Sequence, residues 1–394
     1  MPPCEKLAFA DLHREPFRLF FPAATLAGLC GVSLWIPLLL GWTNDYPGTP
    51  HARVMVQGFL AGFIFGFLGT SLPRLLEVPA LTAREVFPLL AVFAGNVGAQ
   101  LAGATALGDG LFAAELAAWF LVLKGRCHAK RDLPPPSFVL VGLSFGCGLA
   151  GTMLFLAGRR GELSAELELL AKLLGYHAFV LLCVLGAGGF LLPRFLGLGV
   201  RRKFPASTTP TPDWLQTARV AGGAGLLIVL TYGLEAFGWP RSAVTLRAAL
   251  IVGYLWHELP LEQLRWTWNG VQWLLVSGLV CLPLGVLASG WLPGWRVALA
   301  HIELLSGFGL ITLGVATRVV FGHSGERTQL ERFHSPLTIA AVLLLLALLN
   351  RLTGDLVPST MASHYLYAAL CWLGGTLLWA TRVLPKVLKP DPEE

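Results

Sequence analysis

Long apolar runs, broken by short polar stretches, recur along the whole chain. A helix of roughly 20 apolar residues crosses the hydrocarbon of a bilayer. A window of that length picks out twelve runs, at 17–41, 52–72, 86–107, 110–123, 137–157, 172–193, 215–237, 243–256, 270–290, 296–321, 336–352 and 362–384. The fourth, eighth and eleventh are short or interrupted. The pattern predicts an all-α polytopic membrane bundle of about twelve transmembrane helices. It forms a single integral membrane domain over 1–394. The longest connection, 194–215, is basic and rich in Pro and Thr, and reads as a loop rather than a soluble domain.

Composition agrees: 55% of residues are hydrophobic and 13% charged, against about 25% charged in soluble domains. The net charge of +6 follows the loops and calls for no nucleic-acid partner. Of the 29 Lys and Arg residues, 20 fall on the side that holds both termini, 8 on the opposite side, and Arg318 inside a span. The positive-inside rule then places both termini in the cytoplasm, which requires an even number of spans. The start, MPPCEKLAFADLHREPFR, is polar, and no cleavable signal is expected. The seven cysteines form no CxxC pair and read as packing residues. Cys127 and His128 adjoin in a polar loop, but two ligands do not make a metal site.

Topology sorts the histidines by depth. His51, His177, His301 and His364 open spans 2, 6, 10 and 12 on the outer side, whereas His13, His128, His257, His323 and His334 lie towards the cytoplasm. His177 and His301 sit roughly 7–8 Å below their helix starts. A layer of imidazoles at one depth is what a bound metal or haem requires. Met55 follows His51 at i+4, so both share a face. Imidazole with thioether suits copper or haem iron. The plainer alternative for His51 is an interfacial residue held by lipid headgroups and water. For His177 it is a buried, hydrogen-bonded imidazole. His301 is favoured as a ligand, because the helix below it is glycine-rich and holds a second ionisable group, Glu303. Two residues apart, His301 and Glu303 point to different faces, which leaves Glu303 to orient another group or carry protons. Arg318 lies near enough to the interface to snorkel, and the turn at Gly322-His323-Ser324-Gly325 reads as a helix stop. Asn96 and Gln100, one turn apart, suggest an interhelical hydrogen-bond pair or a polar path, the pair being favoured.

Motifs at separated places resemble the NnrS family of polytopic haem- and copper-associated membrane proteins. They are Phe17-Arg18-Leu19-Phe20-Phe21 in span 1, and His51, Met55, Gly58, Gly66 and Pro73 in span 2. Span 6 adds Gly188-Gly189-Phe190-Leu191-Leu192-Pro193. Span 10 adds His301, Gly307, Gly309, Thr312-Leu313-Gly314-Val315, Arg318 and Gly322-His323-Ser324-Gly325. This chain departs from the family pattern at Arg53, where a second histidine is usual, and at Val54, Phe190 and Glu326. The resemblance implies a bacterial inner-membrane protein, surrounded by lipid, that is tied to nitric oxide response or denitrification and nitrosative stress. Its cofactors would be haem and copper.

A remoter similarity is to the main subunits of haem-copper oxidases, which also have twelve spans and outer-side histidines on helices 2, 6 and 10. It implies haem-iron ligation by His301 and His51, and copper at His177 with Met55 as a further metal candidate. Haem would then lie between spans 2 and 10, with Arg53 and Arg296 pairing with its propionates. Span 7 offers Tyr232 and Glu235 where an oxidase has paired histidines, so oxygen reduction is not expected. No complete catalytic site is visible, and no redox partner is indicated. The rival readings are a secondary transporter, from the twelve-span layout, and a non-catalytic assembly partner of a respiratory complex.

Overall fold

The computed structural model describes residues 9–159, 161, 163–266, 269–326 and 335–391. Within them, twelve long helices follow the twelve apolar runs: α1 (Phe17–Leu39), α2 (Gly48–Leu75), α3 (Ala83–Leu101), α4 (Thr105–His128), α5 (Val139–Gly158), α6 (Ala165–Phe195), α7 (Pro212–Ala236), α8 (Pro240–Glu258), α9 (Gly270–Trp291), α10 (Pro293–Gly322), α11 (Ser335–Leu356) and α12 (Met361–Val383). No strand occurs among the described residues. Nine of these helices are long and apolar enough to cross a membrane by length and composition alone. The other three are α3, α8 and α12. The first two carry buried polar residues, Asn96 and Gln100 in α3 and Arg247 in α8.

Neighbours in sequence pack as antiparallel neighbours in space, and α12 closes back on α1. The result is a ring with three helices drawn inside it. Burial identifies them: 78% of the apolar window of α2, 61% of α6 and 72% of α10 is buried, against 33–44% in the other six apolar spans. α10 touches both α2 and α6. Where the three meet, a cavity of about 70 Å³ is walled by Phe63, Phe67, Val184, Leu191, Ile311 and Val315, among others.

The inner helices share a second property. Each one's α-helix is interrupted near the end opposite the chain termini, called the outer end below, by a π-helical segment, at Val54–Leu60, Leu173–Ala178 and Ile302–Phe308. A π turn takes in an extra residue, re-aims the side chains around it, and recurs at functional sites. Each is faced by a glycine of the preceding helix. A Cβ on Gly151 of α5 would meet the backbone of Gly175 at 2.4 Å, and one on Gly285 of α9 would meet that of Glu303 at 2.3 Å. On α1, Gly31 stands against Val54 and the sulfur of Met55. Helices 1–2, 5–6 and 9–10 thus repeat one arrangement at a period of four helices.

The basic ends of α2 and α6 repeat as well. Leu72-Pro73-Arg74-Leu75-Leu76-Glu77-Val78 and Leu192-Pro193-Arg194-Phe195-Leu196-Gly197-Leu198 close with matching backbone hydrogen bonds: Leu76 to Leu72 and Val78 to Pro73, Leu196 to Leu192 and Leu198 to Pro193. Both place one residue in the left-handed region, Gly197 at φ 69° and Glu77 at φ 53°. Glycine occupies this position without a Cβ clash; glutamate does not. Exposed Glu77→Gly is therefore expected to stabilise the protein by about 1 kcal/mol. Thermal unfolding in detergent checks this, and an unchanged or lower midpoint contradicts it.

Candidate functional site

The outer half of the inner helices holds three imidazoles, and each is anchored through the same ring nitrogen. His51 Nδ1 lies 3.0 Å from the carbonyl oxygen of Gly31 on α1. His301 Nδ1 lies 2.7 Å from the carbonyl of Val297, one turn back in α10. His177 Nδ1 lies 2.9 Å from Glu303 Oε2 on α10. A carbonyl or carboxylate accepts, so Nδ1–H donates in all three, and in the neutral ring this puts the lone pair on Nε2. Metal-ligating histidines are held in this way. The bond of His301 to its own helix is the least distinctive, since His128, which closes α4 rather than lying in the expected loop, bonds Lys124 likewise at 2.8 Å.

The Glu303–His177 bond joins α10 to α6. His301 and Glu303 serve different neighbours, as their spacing requires, and the group Glu303 orients is His177. Its other oxygen, Oε1, is buried without a hydrogen bond among the described residues, as are Ser306 Oγ and the hydroxyl of Tyr232. Tyr232 lies within electrostatic range of Glu303 and Glu235. His51 and His301 are within electrostatic range of one another and of Arg351 on α11. Arg351 pairs with Asp355 at 2.9 Å and lies 4.3 Å from the centre of the Tyr365 ring. Trp35 meets His51 edge-on at 5.7 Å. The Met55 side chain packs towards α1, beside the glycine that anchors His51.

The two arginines expected beside haem propionates are committed elsewhere. Arg53 is buried, makes a two-pronged bond to Asp109 of α4 at 2.7 and 3.1 Å, and stacks on Phe155 at 3.5 Å. Arg296 bonds Glu235, which also holds Arg247 at 2.7 Å. Of the α3 pair, Gln100 bonds Gln57 at 3.0 Å and Asp109 at 3.3 Å, whereas the Asn96 side chain has no hydrogen bond among the described residues. The expected pair therefore forms through one member only. Asp109 was not singled out from the sequence; an intramembrane carboxylate was the signal that could have found it.

The motif residues of the basic side meet at another place. His323 Nδ1 bonds Glu15, which also takes Arg18 and, at 2.6 Å, Arg74. Asp391, near the end of the chain, pairs with Arg74 at 3.2 Å and His323 at 3.3 Å. Arg18 further donates to the carbonyls of Val387 and Lys389. His323 is thus more than a helix stop: the network ties α1, α2, α10 and the C-terminal segment together. Ligand atoms of Glu15, His323 and Asp391 lie within 4.8 Å of each other, but a metal there would have to displace two arginines. Arg318, partly exposed, is held at the basic end of the bundle. It donates to the Phe195 carbonyl at the end of α6. His364 bonds Asn350 at 2.9 Å. His334 lies outside the described residues. Cys30, Cys127, Cys147, Cys183, Cys281 and Cys371 are free.

Burial alone raises the Glu15 carboxyl, but its hydrogen bond to His323 and the charges of His323, Arg18 and Arg74 outweigh this and hold it below its ordinary value. A depressed acid stabilises the fold above its unfolded value, here 4.5, and that contribution is lost as pH falls through the lower folded value. Unfolding of the wild type should therefore become easier below about pH 4.5, and Glu15→Gln should be less stable at pH 7 with a flatter acid limb. Equal acid limbs would contradict the network's role.

In sequence comparison, the family model described as NnrS protein matches residues 11–390. No curated protein matches the chain.

Proposed function

Since the chain belongs to the NnrS family, we propose that it is a haem protein of the bacterial inner membrane, with copper as a second metal, acting in the response to or handling of nitric oxide. The observation that carries this reading is the shared anchoring of His51, His177 and His301, each with Nδ1 engaged and the Nε2 lone pair available. The donor set fits the groups proposed. Two imidazoles suit haem iron, and an imidazole backed by a carboxylate suits copper. The π segments beside all three belong to the same support.

In this reading His51 and His301 hold the haem between α2 and α10, and Arg351 supplies the positive charge near it. A haem with a displaceable axial ligand binds nitric oxide, whereas two firmly held imidazoles favour electron transfer or sensing. The two anchors differ in firmness. His51 is pinned to a neighbouring helix and wedged against Trp35, whereas His301 is tied only to its own helix. His301 would then be the less firmly held of the two imidazoles. Copper falls to His177, with Glu303 fixing its ring.

The optical spectrum of protein purified after expression with ample haem tests the first part. Wild type should show a Soret band, which His301→Ala should shift towards a five-coordinate form and His51→Ala should abolish. No band in the wild type, or one unchanged by both substitutions, overturns the haem reading. For copper, Glu303→Gln should weaken binding by roughly 10–100-fold, as read by titration with metal analysis. Unaltered affinity removes His177 from the copper site.

A further inference from the structure

Helix α4 carries a carboxylic acid in the middle of its membrane path. Glu115 lies ten residues beyond the helix start at Thr105, roughly 15 Å along its axis. It is fully buried, and neither carboxyl oxygen has a hydrogen-bond partner among the described residues. One turn further on, the indole N–H of Trp119 is turned towards the acid without completing a hydrogen bond of ordinary geometry. Beyond it the way to the basic side is closed by aromatic rings: Phe65 stacks on Trp119 at 5.4 Å, and Phe20 meets it edge-on at 5.5 Å.

Towards the opposite side, polar groups replace the rings. Gln57 donates to Asp109 at 2.9 Å, Gln100 donates to Gln57 and Asp109, and Arg53 grips Asp109. Asn96 stands one turn from Gln100, about 6 Å deeper in the membrane. Both its amide atoms are unpaired, as is Gln100 Oε1. Asn96, Gln100, Asp109 and Glu115 are all at 0% exposure. Because α3 and α4 are antiparallel neighbours, Gln100 and Asp109 share an outer level, and Asn96 and Glu115 step inward from it on facing helices. At the mouth, Arg159 reaches Asp109 at 3.6 Å and bonds Thr105, with its side chain 36% exposed.

Buried polar groups are nearly always paired in folded proteins. Here five side-chain atoms with open hydrogen-bonding capacity, Gln100 Oε1, the two Asn96 amide atoms and both Glu115 oxygens, lie at successive depths on two facing helices. An unpaired carboxylate in that surrounding is too costly to retain, so the acid is neutral. We propose that Glu115 is a proton-binding site, reached from the side opposite the termini along Asp109, Gln57, Gln100 and Asn96. In the exchange, one Glu115 oxygen releases its proton to this line while the other accepts one from it. The acid is neutral before and after, and no counter-charge is needed. Asp109 offsets the Arg53 charge on the route, and Arg159 lies at the solvent edge. This site is separate from the imidazoles and does not depend on a bound metal.

Infrared spectroscopy of the full chain in lipid nanodiscs tests the proposal without haem or an activity assay. The wild type should show a protonated-carboxyl C=O band at pH 7 that Glu115→Gln removes and Glu115→Asp shifts. Should the glutamine variant fail to fold, the aspartate shift alone makes the assignment. On transfer to D₂O the band should move within the mixing time. Asn96→Leu and Gln100→Leu should slow that movement by about tenfold, the worth of one hydrogen bond in the line. Three results would each overturn the proposal: no band altered by either Glu115 substitution, a band that does not respond to D₂O, and exchange unaffected by both leucine variants.

Discussion

The close approach of a glycine to each π segment is the contact on which the rest of the bundle depends. Gly31, Gly151 and Gly285 let α1, α5 and α9 come against α2, α6 and α10 at the level where the extra residue is inserted. In hydrocarbon there is little hydrophobic gain from bringing helices together, so van der Waals packing at small residues decides which helices approach. Three helices drawn inward in this way are shielded from lipid by the others. They carry the three imidazoles and Glu303 away from lipid, just as the buried faces of ring helices carry Asp109, Glu115 and Glu235.

The polar pairings follow from that arrangement. Arg53 with Asp109, Arg296 and Arg247 with Glu235, and Arg351 with Asp355 each join helices or turns near the outer side. They neutralise one another within protein, where ion pairs are retained when both partners are present and removal of one is costly. The bond from His177 to Glu303 belongs to this class and differs in one respect: it leaves a basic nitrogen over. On the basic side, the cluster around Glu15 gathers Arg18 of α1, Arg74 of α2 and His323 just beyond α10. Its structural part is to hold the ends of two inner helices against α1 and the C-terminal segment.

The helices were legible because apolar length is written directly into composition. All twelve runs became helices, including the short fourth, eighth and eleventh. Spacing was enough to separate His301 from Glu303. It could not show that Glu303 reaches His177, 126 residues away. The pairing of Arg53 with Asp109 across 56 residues was hidden for the same reason, and proximity to an interface suggested propionates instead. The π segments leave no mark in hydropathy, because one additional residue in a turn changes geometry and not composition. The fourfold helix period was equally hidden, since its signature is a glycine on the helix before. Asn96 and Gln100 were visible as polar residues, but not that one would be bonded and the other left open.

That three imidazoles share one protonation pattern, with hydrogen on Nδ1 and the lone pair on Nε2, is the claim most exposed to direct measurement. Nitrogen-15 NMR of histidine-labelled, metal-free protein in nanodiscs distinguishes the two ring nitrogens. Resonances that disappear on substitution of His51, His177 and His301 identify them. Each should show a protonated Nδ1 and an unprotonated Nε2 at neutral pH. Protonated Nε2 at His177 or His51 would contradict the anchoring on which the site is built.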